Sequence, residues 1–587
     1  MKKFLYCAIA LFGAAAFSFA FLNNGKPQER TFSFSHASGF YDEPFLLTIT
    51  APTDEIYYTL DGSEPSKNSL RYGRPLLIDD ASGNQNAHSM RTDVSTGFYE
   101  DKIMAHNAQT PPQYKTPDYK IDKCTVLRAV YYDVHGKASE IKTASFFVGF
   151  SEKRGYDGMN VVSLITSPEN LFDYEKGIYV TGRIFDDYFA AESSKDPADY
   201  IWGFTRWWWW DANYHQRGKG WEREAVAAFF APNGSLLLEQ DCGVRVQGGM
   251  SRSNNPKSLA LHARKQYGKK YFDHDFFATG KNPRSIVLFS GGNDGTHKSG
   301  TKMRDYLMSR LCRGLDFATF NYVPAVLFLN GEYWGAYLLC EKYDEFFCHN
   351  NYGVNAKDVI MIKSGGVEAG TSTDSRHYEE MLNFISYADF SDPANYQKAC
   401  GIIDMQSFME YFAAQIYISR CGDWPNSNFA LWRTRIEDSS SPYADKKWRW
   451  MLFDANSSGI SAELVDFDSV AWSKENSAIF RNLCTSADFR IAFVSTMNRL
   501  MDTIFPAEKV SAEIDLITQE MAVAMQANNR RFFGAEAQDE YLSAVEDIRR
   551  FFAGRRQYME ALLEEHFQQD SLPHKKAPQR GSGDGGN

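Results

Sequence analysis

The chain has 587 residues, 43% of them hydrophobic and 15% aromatic, with a formal net charge of −11 at pH 7. That length supplies material for about two to four domains with large cores. An acidic balance with no dense basic stripe excludes a general nucleic-acid binder, and the acidity itself selects no partner beyond keeping the chain soluble.

Met1-Lys2-Lys3, followed by a mostly apolar run over Phe4–Phe21 with small residues near Ser18-Phe19-Ala20, is the pattern of a signal peptide over 1–20. A run of this length also fits an uncleaved membrane anchor. Cys7 lies inside the apolar run, too early for a lipoprotein cysteine. Cleavage after Ala20 and export (periplasmic, cell-surface or secreted) are expected, with no transmembrane segment afterwards. Eight cysteines remain beyond Ala20: Cys124, Cys242, Cys312, Cys340, Cys348, Cys400, Cys421 and Cys484. An exported compartment permits disulfides, but the spacing prescribes no pairing and contains no zinc-type Cys/His cluster.

Over 31–149 short strands alternate with turns. Phe45, Leu47 and Ile49 share one face of a strand, and Ile56-Tyr57-Tyr58-Thr59-Leu60 runs into Asp61-Gly62, a hairpin signal. Thr125–Tyr132 and Ala144–Val148 complete an expected small β-sandwich. Residues 80–122 are polar and are expected to form a long excursion or partly ordered loop. The string "YYTLDGSEP" over 57–65, with Leu127-Arg128-Ala129-Val130, resembles the small sandwich domain at the C-terminus of chitobiases and β-hexosaminidases. The resemblance implies an accessory module, either a spacer or a glycan contact.

From about Asn160 the pattern becomes mixed α/β, with strands at Val161–Ile165 and Gly177–Gly182. Trp207-Trp208-Trp209-Trp210 offers a sugar-stacking surface, but four consecutive residues cannot share one face, which favours core and loop packing. Apolar periodicity predicts an amphipathic helix over 402–420 and a helical C-terminal region over 503–568. A disordered tail is expected over 573–587.

Four ordered motifs carry chemistry. Gly243–Ser253 leads through Gly248-Gly249 to Lys257, a glycine turn whose backbone can approach phosphate, followed by a lysine able to pair with it. Ser290-Gly291-Gly292-Asn293-Asp294 opens a helix carrying Arg304, a potential phosphate clamp. Two apolar strands flank Asn330-Gly331, and the second ends at Glu341, placed to hold Lys257 or a metal or simply to be solvated. Last, the 402–420 helix delivers Asp423 on a loop, Asn428 opens the next strand, and Trp448–Phe453 delivers Asp454. Helix, acidic loop, strand, turn, strand, acid is the order in which a kinase-type site presents its base and metal ligands.

Together these motifs over about 160–500 resemble the CotH family of kinase-like proteins. The matching runs are "GVRVQGG.SR…PKSL", "GGND…MRD", "LNGEYWG.Y", "GDWP.N" and "KWRWMLFD". The resemblance implies an α+β chain with a protein-kinase-like catalytic domain over 158–502, preceded by the small all-β sandwich. It also implies ATP with Mg²⁺ or Mn²⁺ and transfer of the γ-phosphoryl group to Ser or Thr hydroxyls of secreted or envelope proteins. In that reading Asp423 is the base, and Asn428, Asp454 and Asn456 surround the metal. Lys257, Arg304, Glu341, Gly248 and Gly249 serve the nucleotide. The chain departs from the family at Asn456, where a second acid is common, and it has no literal "HRD" or "DFG". That departure leaves a pseudokinase as the alternative: a surface protein binding carbohydrate or envelope components.

Overall fold

The computed structural model describes residues 31–106, 108–150, 156, 158–456 and 459–567. The signal-peptide and tail readings at 1–20 and 573–587 lie outside them. The chain is mixed α and β, with a β-rich N-terminal region and a helical C-terminal region. Among the described residues no helix is long and apolar enough to cross a membrane.

The N-terminal strands build a five-stranded sheet in the order Gly39–Tyr41, Lys142–Val148, Thr125–Tyr131, Ile56–Thr59, Leu70–Arg71. Two strand pairs lie beside it: Ser33–Phe34 with Ile49–Thr50, and Phe45–Leu47 with Leu76–Ile78. Leu47, Ile49, Ile56, Leu127, Ala129 and Phe146 pack inside. Leu46 and its cross-strand partner Leu77 point outward, which explains the break in alternation at Leu46. Asp61-Gly62 does not close a two-residue hairpin, because Tyr57 pairs with Arg71 across a longer loop. Gly62 (φ +85°) instead brings that loop against the barrel described next, where an added Cβ would lie 2.8 Å from Asn330.

Seven strands close into a barrel in the order Asn160–Ile165, Arg223–Phe230, Leu236–Val246, Leu259–His262, Ser285–Phe289, Glu332–Glu341, Val323–Leu329. Asn330 (φ +48°) and Gly331 (φ +86°) make the tight turn that this dipeptide prescribes, since both central residues need positive φ. Glu332–Glu341 is buried along its whole length. One face lines the barrel, and the other is covered by the 27-residue helix Ala507–Phe533. That approach relies on Gly335, where a Cβ would sit 3.0 Å from both Asn528 and Phe532.

The 80–122 excursion is not loose. It folds into short 3₁₀ turns and a helix, Glu100–Ala105, laid over the barrel. Thr96 Oγ1 donates to Trp207 O (2.9 Å), Lys115 N donates to Phe532 O (2.8 Å) and Arg531 donates to Ser89 O (3.1 Å). These hydrogen bonds, together with burial of Val94, Ile103 and Ala108 against the barrel-side core, hold the segment. Of the tryptophan run, Trp207 and Trp210 are buried and Trp209 is exposed, so the run forms no single stacking face.

Below the barrel lies a four-stranded sheet in the order Gly366–Ala369, Val359–Lys363, Ala430–Thr434, Arg449–Met451. The helix expected over 402–420 spans Met405–Tyr417, and every residue but Gln406 is buried. It is a central helix rather than a half-exposed amphipathic one. Arg555, from the last helix (Ala537–Phe567), donates to Ile416 O and Tyr417 O at its C-terminal end. That satisfies carbonyls which a helix end leaves orphaned and fixes where the chain exits toward Asp423.

Candidate active site

Asp423 sits on the loop leaving the central helix. Trp424 anchors this loop: it is buried, its Nε1 donates to Tyr411 OH (3.0 Å), and its carbonyl accepts from Trp472 Nε1 (2.8 Å). Asp423 itself is exposed. Asn428, in the left-handed region at φ +51°, donates through Nδ2 to the Asp423 carboxylate, and its backbone N–H donates to Ser364 Oγ (3.1 Å). The Asp and the Asn five positions on therefore meet.

Asp454 follows the strand Arg449–Met451 and also sits at positive φ (+58°). The guanidinium of Arg420, wholly buried, donates to Phe453 O (3.2 Å) and Asp454 O, and so ties this loop to the end of the central helix. Burial raises the proton affinity of the Asp454 carboxyl; Arg420 and the Asn456 hydrogen bond oppose the rise, and nearby Asp423 adds to it. Asp454 Oδ1 accepts from Asn456 Nδ2 (2.6 Å). The same nitrogen donates to Asp305 Oδ2 (2.7 Å), and Asn456 Oδ1 accepts from Asn293 N (3.0 Å). Burial, then the Asp454 charge, pushes Asp305 up to about 7. Gly292 (φ +56°) permits the approach, since a Cβ there would lie 2.8 Å from Asn456 Oδ1.

Lys363 interacts with Asp454, and Lys342 and Arg217 lie near Lys363. Lys342 pairs with Glu368 (3.1 Å), and half-buried Lys363 lies with its ammonium 4.1 Å from the Phe453 ring centroid. Burial lowers the Lys363 pKa; Glu368 and Asp454 oppose this, while Lys342 and Arg217 repel it further. Burial works against ionising Glu368, yet Lys342 and Lys363 hold it below the usual carboxylate value. Arg217 donates to Gly248 O (3.1 Å), placing a third cation at the glycine turn. A groove of about 800 Å³ leads away from Glu368 between Phe346 and Arg435.

Several expectations need correction. Lys257 does not reach the cleft: it is 0% exposed, and its Nζ donates to Arg252 O (2.6 Å) and Asn254 O (3.0 Å) beneath the Tyr214 ring. Glu341 does not hold Lys257. It is buried and accepts from Asn351 Nδ2 (2.8 Å) and Asn321 Nδ2 (3.1 Å), while burial raises it to about 7. Arg304 is spent on buried Asp294, which also accepts from Thr301 N and Met303 N, so Arg304 braces the glycine loop rather than phosphate. Asn456 turns its nitrogen to Asp454 and its oxygen to Asn293, so no amide oxygen is aimed at a metal beside Asp454. At the glycine turn, Gly248 (φ +120°) has its carbonyl capped by Arg217 and Arg252, and Gly249 borders open space.

Two of the residues the motifs had not singled out adjoin ones they had. Asp305 follows Arg304, Lys342 follows Glu341, and Lys363 ends a strand at Ser364-Gly365-Gly366. A lysine between an apolar strand and a glycine turn is a readable signal. The pairing of Asp305 with Asn456 is not.

Among the described residues no three His, Cys, Asp or Glu side chains converge as a ready metal cluster. The donors at the cleft are two carboxylates, Asp423 and Asp454, and the oxygen of Asn428. Hard oxygens in that number suit Mg²⁺ or Mn²⁺, which commonly take one or two carboxylates and complete their shell with phosphate oxygens and water.

The CotH kinase protein family matches residues 244–559, more than half of the chain and a span that holds every cleft residue named above except Arg217. The chain belongs to the CotH kinase family. The N-terminal strands match the Fn3-associated family over 45–146. No curated protein matches this CotH-family chain.

Proposed function

We propose that this CotH-family protein is an exported kinase that transfers the γ-phosphoryl group of ATP to Ser or Thr hydroxyls of proteins. The supporting observation is that Asp423 meets Asn428 and that Asp454, beside Asp423, also interacts with Lys363, which has Lys342 and Arg217 near it. Asp423, exposed and oriented by Asn428, accepts the hydroxyl proton as the oxygen attacks phosphorus. The bond from γ-phosphorus to its bridging oxygen breaks, and ADP leaves with the electron pair. Lys363 and Lys342 offset charge on the phosphates, while Glu368 holds the two ammonium groups apart. A divalent cation bound at Asp454 and Asn428 would supply further neutralisation of the triphosphate. Export rests on the Met1–Ala20 pattern, and sequencing the N-terminus of the mature protein tests it.

The enzymatic test is labelled ATP with Mg²⁺ or Mn²⁺ and a Ser/Thr-rich acceptor protein, followed by phosphosite mapping. Transfer by the native chain, abolished in Asp423→Ala and Asp454→Ala with unfolding midpoints preserved, is the expected result. Undiminished transfer in Asp423→Ala would sink the assignment. Thermal stabilisation by chitin or xylan fragments but not by ATP with metal would favour the carbohydrate-binding reading instead.

A further inference from the structure

The acid that the strand-end motif lacks at position 456 is present in space. Asp305, second residue of the helix Arg304–Leu311, is 6% exposed and presents both carboxylate oxygens to the loop after Asp454. Oδ1 accepts from Ala455 N and Oδ2 from Asn456 Nδ2, both at 2.7 Å. The amide nitrogen of Asn456 thus stands between two carboxylates, 2.7 Å from Asp305 and 2.6 Å from Asp454, while its oxygen is fixed by Asn293 N–H. An amide rotated by half a turn would face Asp305 and Asp454 with oxygen against oxygen, so Asp305 selects one orientation. That orientation fixes which way the Asp454 carboxylate points.

We propose that Asp305 is a positioning residue for Asp454, acting through Asn456, and that this buried pair does the work of a second acid in the strand-end motif. The inference rests on the phosphotransfer reading above. In Asp305→Asn one acceptor is lost, so either Ala455 N–H or the Asn456 amide faces an NH₂ group and the Asp454 carboxylate loses its fixed orientation. Asn456→Ala removes the linking amide itself, so once it is gone Asp305→Asn should cost Asp454 little more.

The test is calorimetric titration of the full chain with Mn²⁺ in the presence of ADP, alongside thermal unfolding. Native protein should bind. Asp305→Asn should bind Mn²⁺ about 10–100-fold more weakly, and adding Asp305→Asn to Asn456→Ala should weaken binding by less than about threefold beyond Asn456→Ala alone. Native-like binding by Asp305→Asn, or a full further loss when Asp305→Asn is added to Asn456→Ala, overturns the inference while leaving the kinase reading intact. If Asp305→Asn fails to fold, Asn456→Ala decides: a folded protein binding Mn²⁺ about 10–100-fold more weakly supports the role, and native-like binding refutes it. Failure of the native chain to bind Mn²⁺ with ADP overturns the kinase reading and this inference with it.

Discussion

Lys257 precedes an apolar strand and Lys363 ends one, both with glycines nearby in the chain, yet they occupy opposite kinds of site. Lys257 is sealed beneath the barrel mouth among two carbonyls and the Tyr214 ring, with Arg252 as a neighbouring charge. Burial drives its pKa well below the ordinary lysine value, and Arg252 pushes the same way. Lys363 opens onto the cleft, where Glu368 and Asp454 oppose its desolvation. A buried ammonium satisfied by neutral carbonyls fastens backbone; one balanced by carboxylates beside open space can exchange a partner for a phosphate. Counter-charge and access, not the presence of a lysine near a glycine turn, separate the two.

The largest effects should come from the open side of this pair. Asp423→Ala should lower transfer on the order of 10²–10⁴-fold and Lys363→Met on the order of 10²–10³-fold, with urea midpoints near native because both side chains reach solvent. Lys257→Ala should do the opposite, costing about 2–5 kcal/mol of stability through a cavity and two orphaned carbonyls while transfer per folded molecule stays near native. Loss of transfer in Lys257→Ala at full folding, with Lys363→Met active, would reverse the comparison.

A third buried lysine sharpens it. Lys302 donates to Ala336 O (2.9 Å) and Asn528 Oδ1 (3.1 Å), and burial pushes it down to about 7 against the pull of Asp294. Its folded pKa lies below the unfolded 10.5, so between those values the unfolded chain binds the extra proton. Its contribution is therefore complete above pH 10.5 and is lost as pH falls toward 7. Lys302→Met should flatten that rise by up to about 1.4 kcal/mol per pH unit, read from urea unfolding between pH 7 and 9; an unchanged slope would show that Lys302 titrates normally. Smallest should be Glu368→Gln, partly exposed, raising KM for ATP less than about tenfold by freeing Lys342. A loss in kcat instead would mean that Glu368 acts on the chemistry.

How much of this was legible varies with the distance over which each feature is encoded. The Asn330-Gly331 turn was readable because two adjacent residues carry the required φ values. The central helix was readable in kind but misjudged in surroundings, since periodicity does not reveal that Arg555 and the C-terminal helices cover its outer face. Asp423 and Asn428, five positions apart, were found and do meet. Asp305 and Asn456, 151 positions apart, were not connected, because no local pattern records a hydrogen bond made by folding one region onto another. The excursion over 80–122 appeared loose because its partners, among them Trp207, Phe532 and Arg531, lie far along the chain.

By itself the sequence determined the order of the elements, the turn at Asn330-Gly331, the acids at the ends of a helix and a strand, and membership of the CotH family, because each is written in short-range spacing. The tertiary structure alone decided which cations face those acids and which are sealed away. Whether a charged side chain ends in a cleft or under a barrel depends on what packs over it, and that is set by contacts between distant segments rather than by its neighbours in the chain.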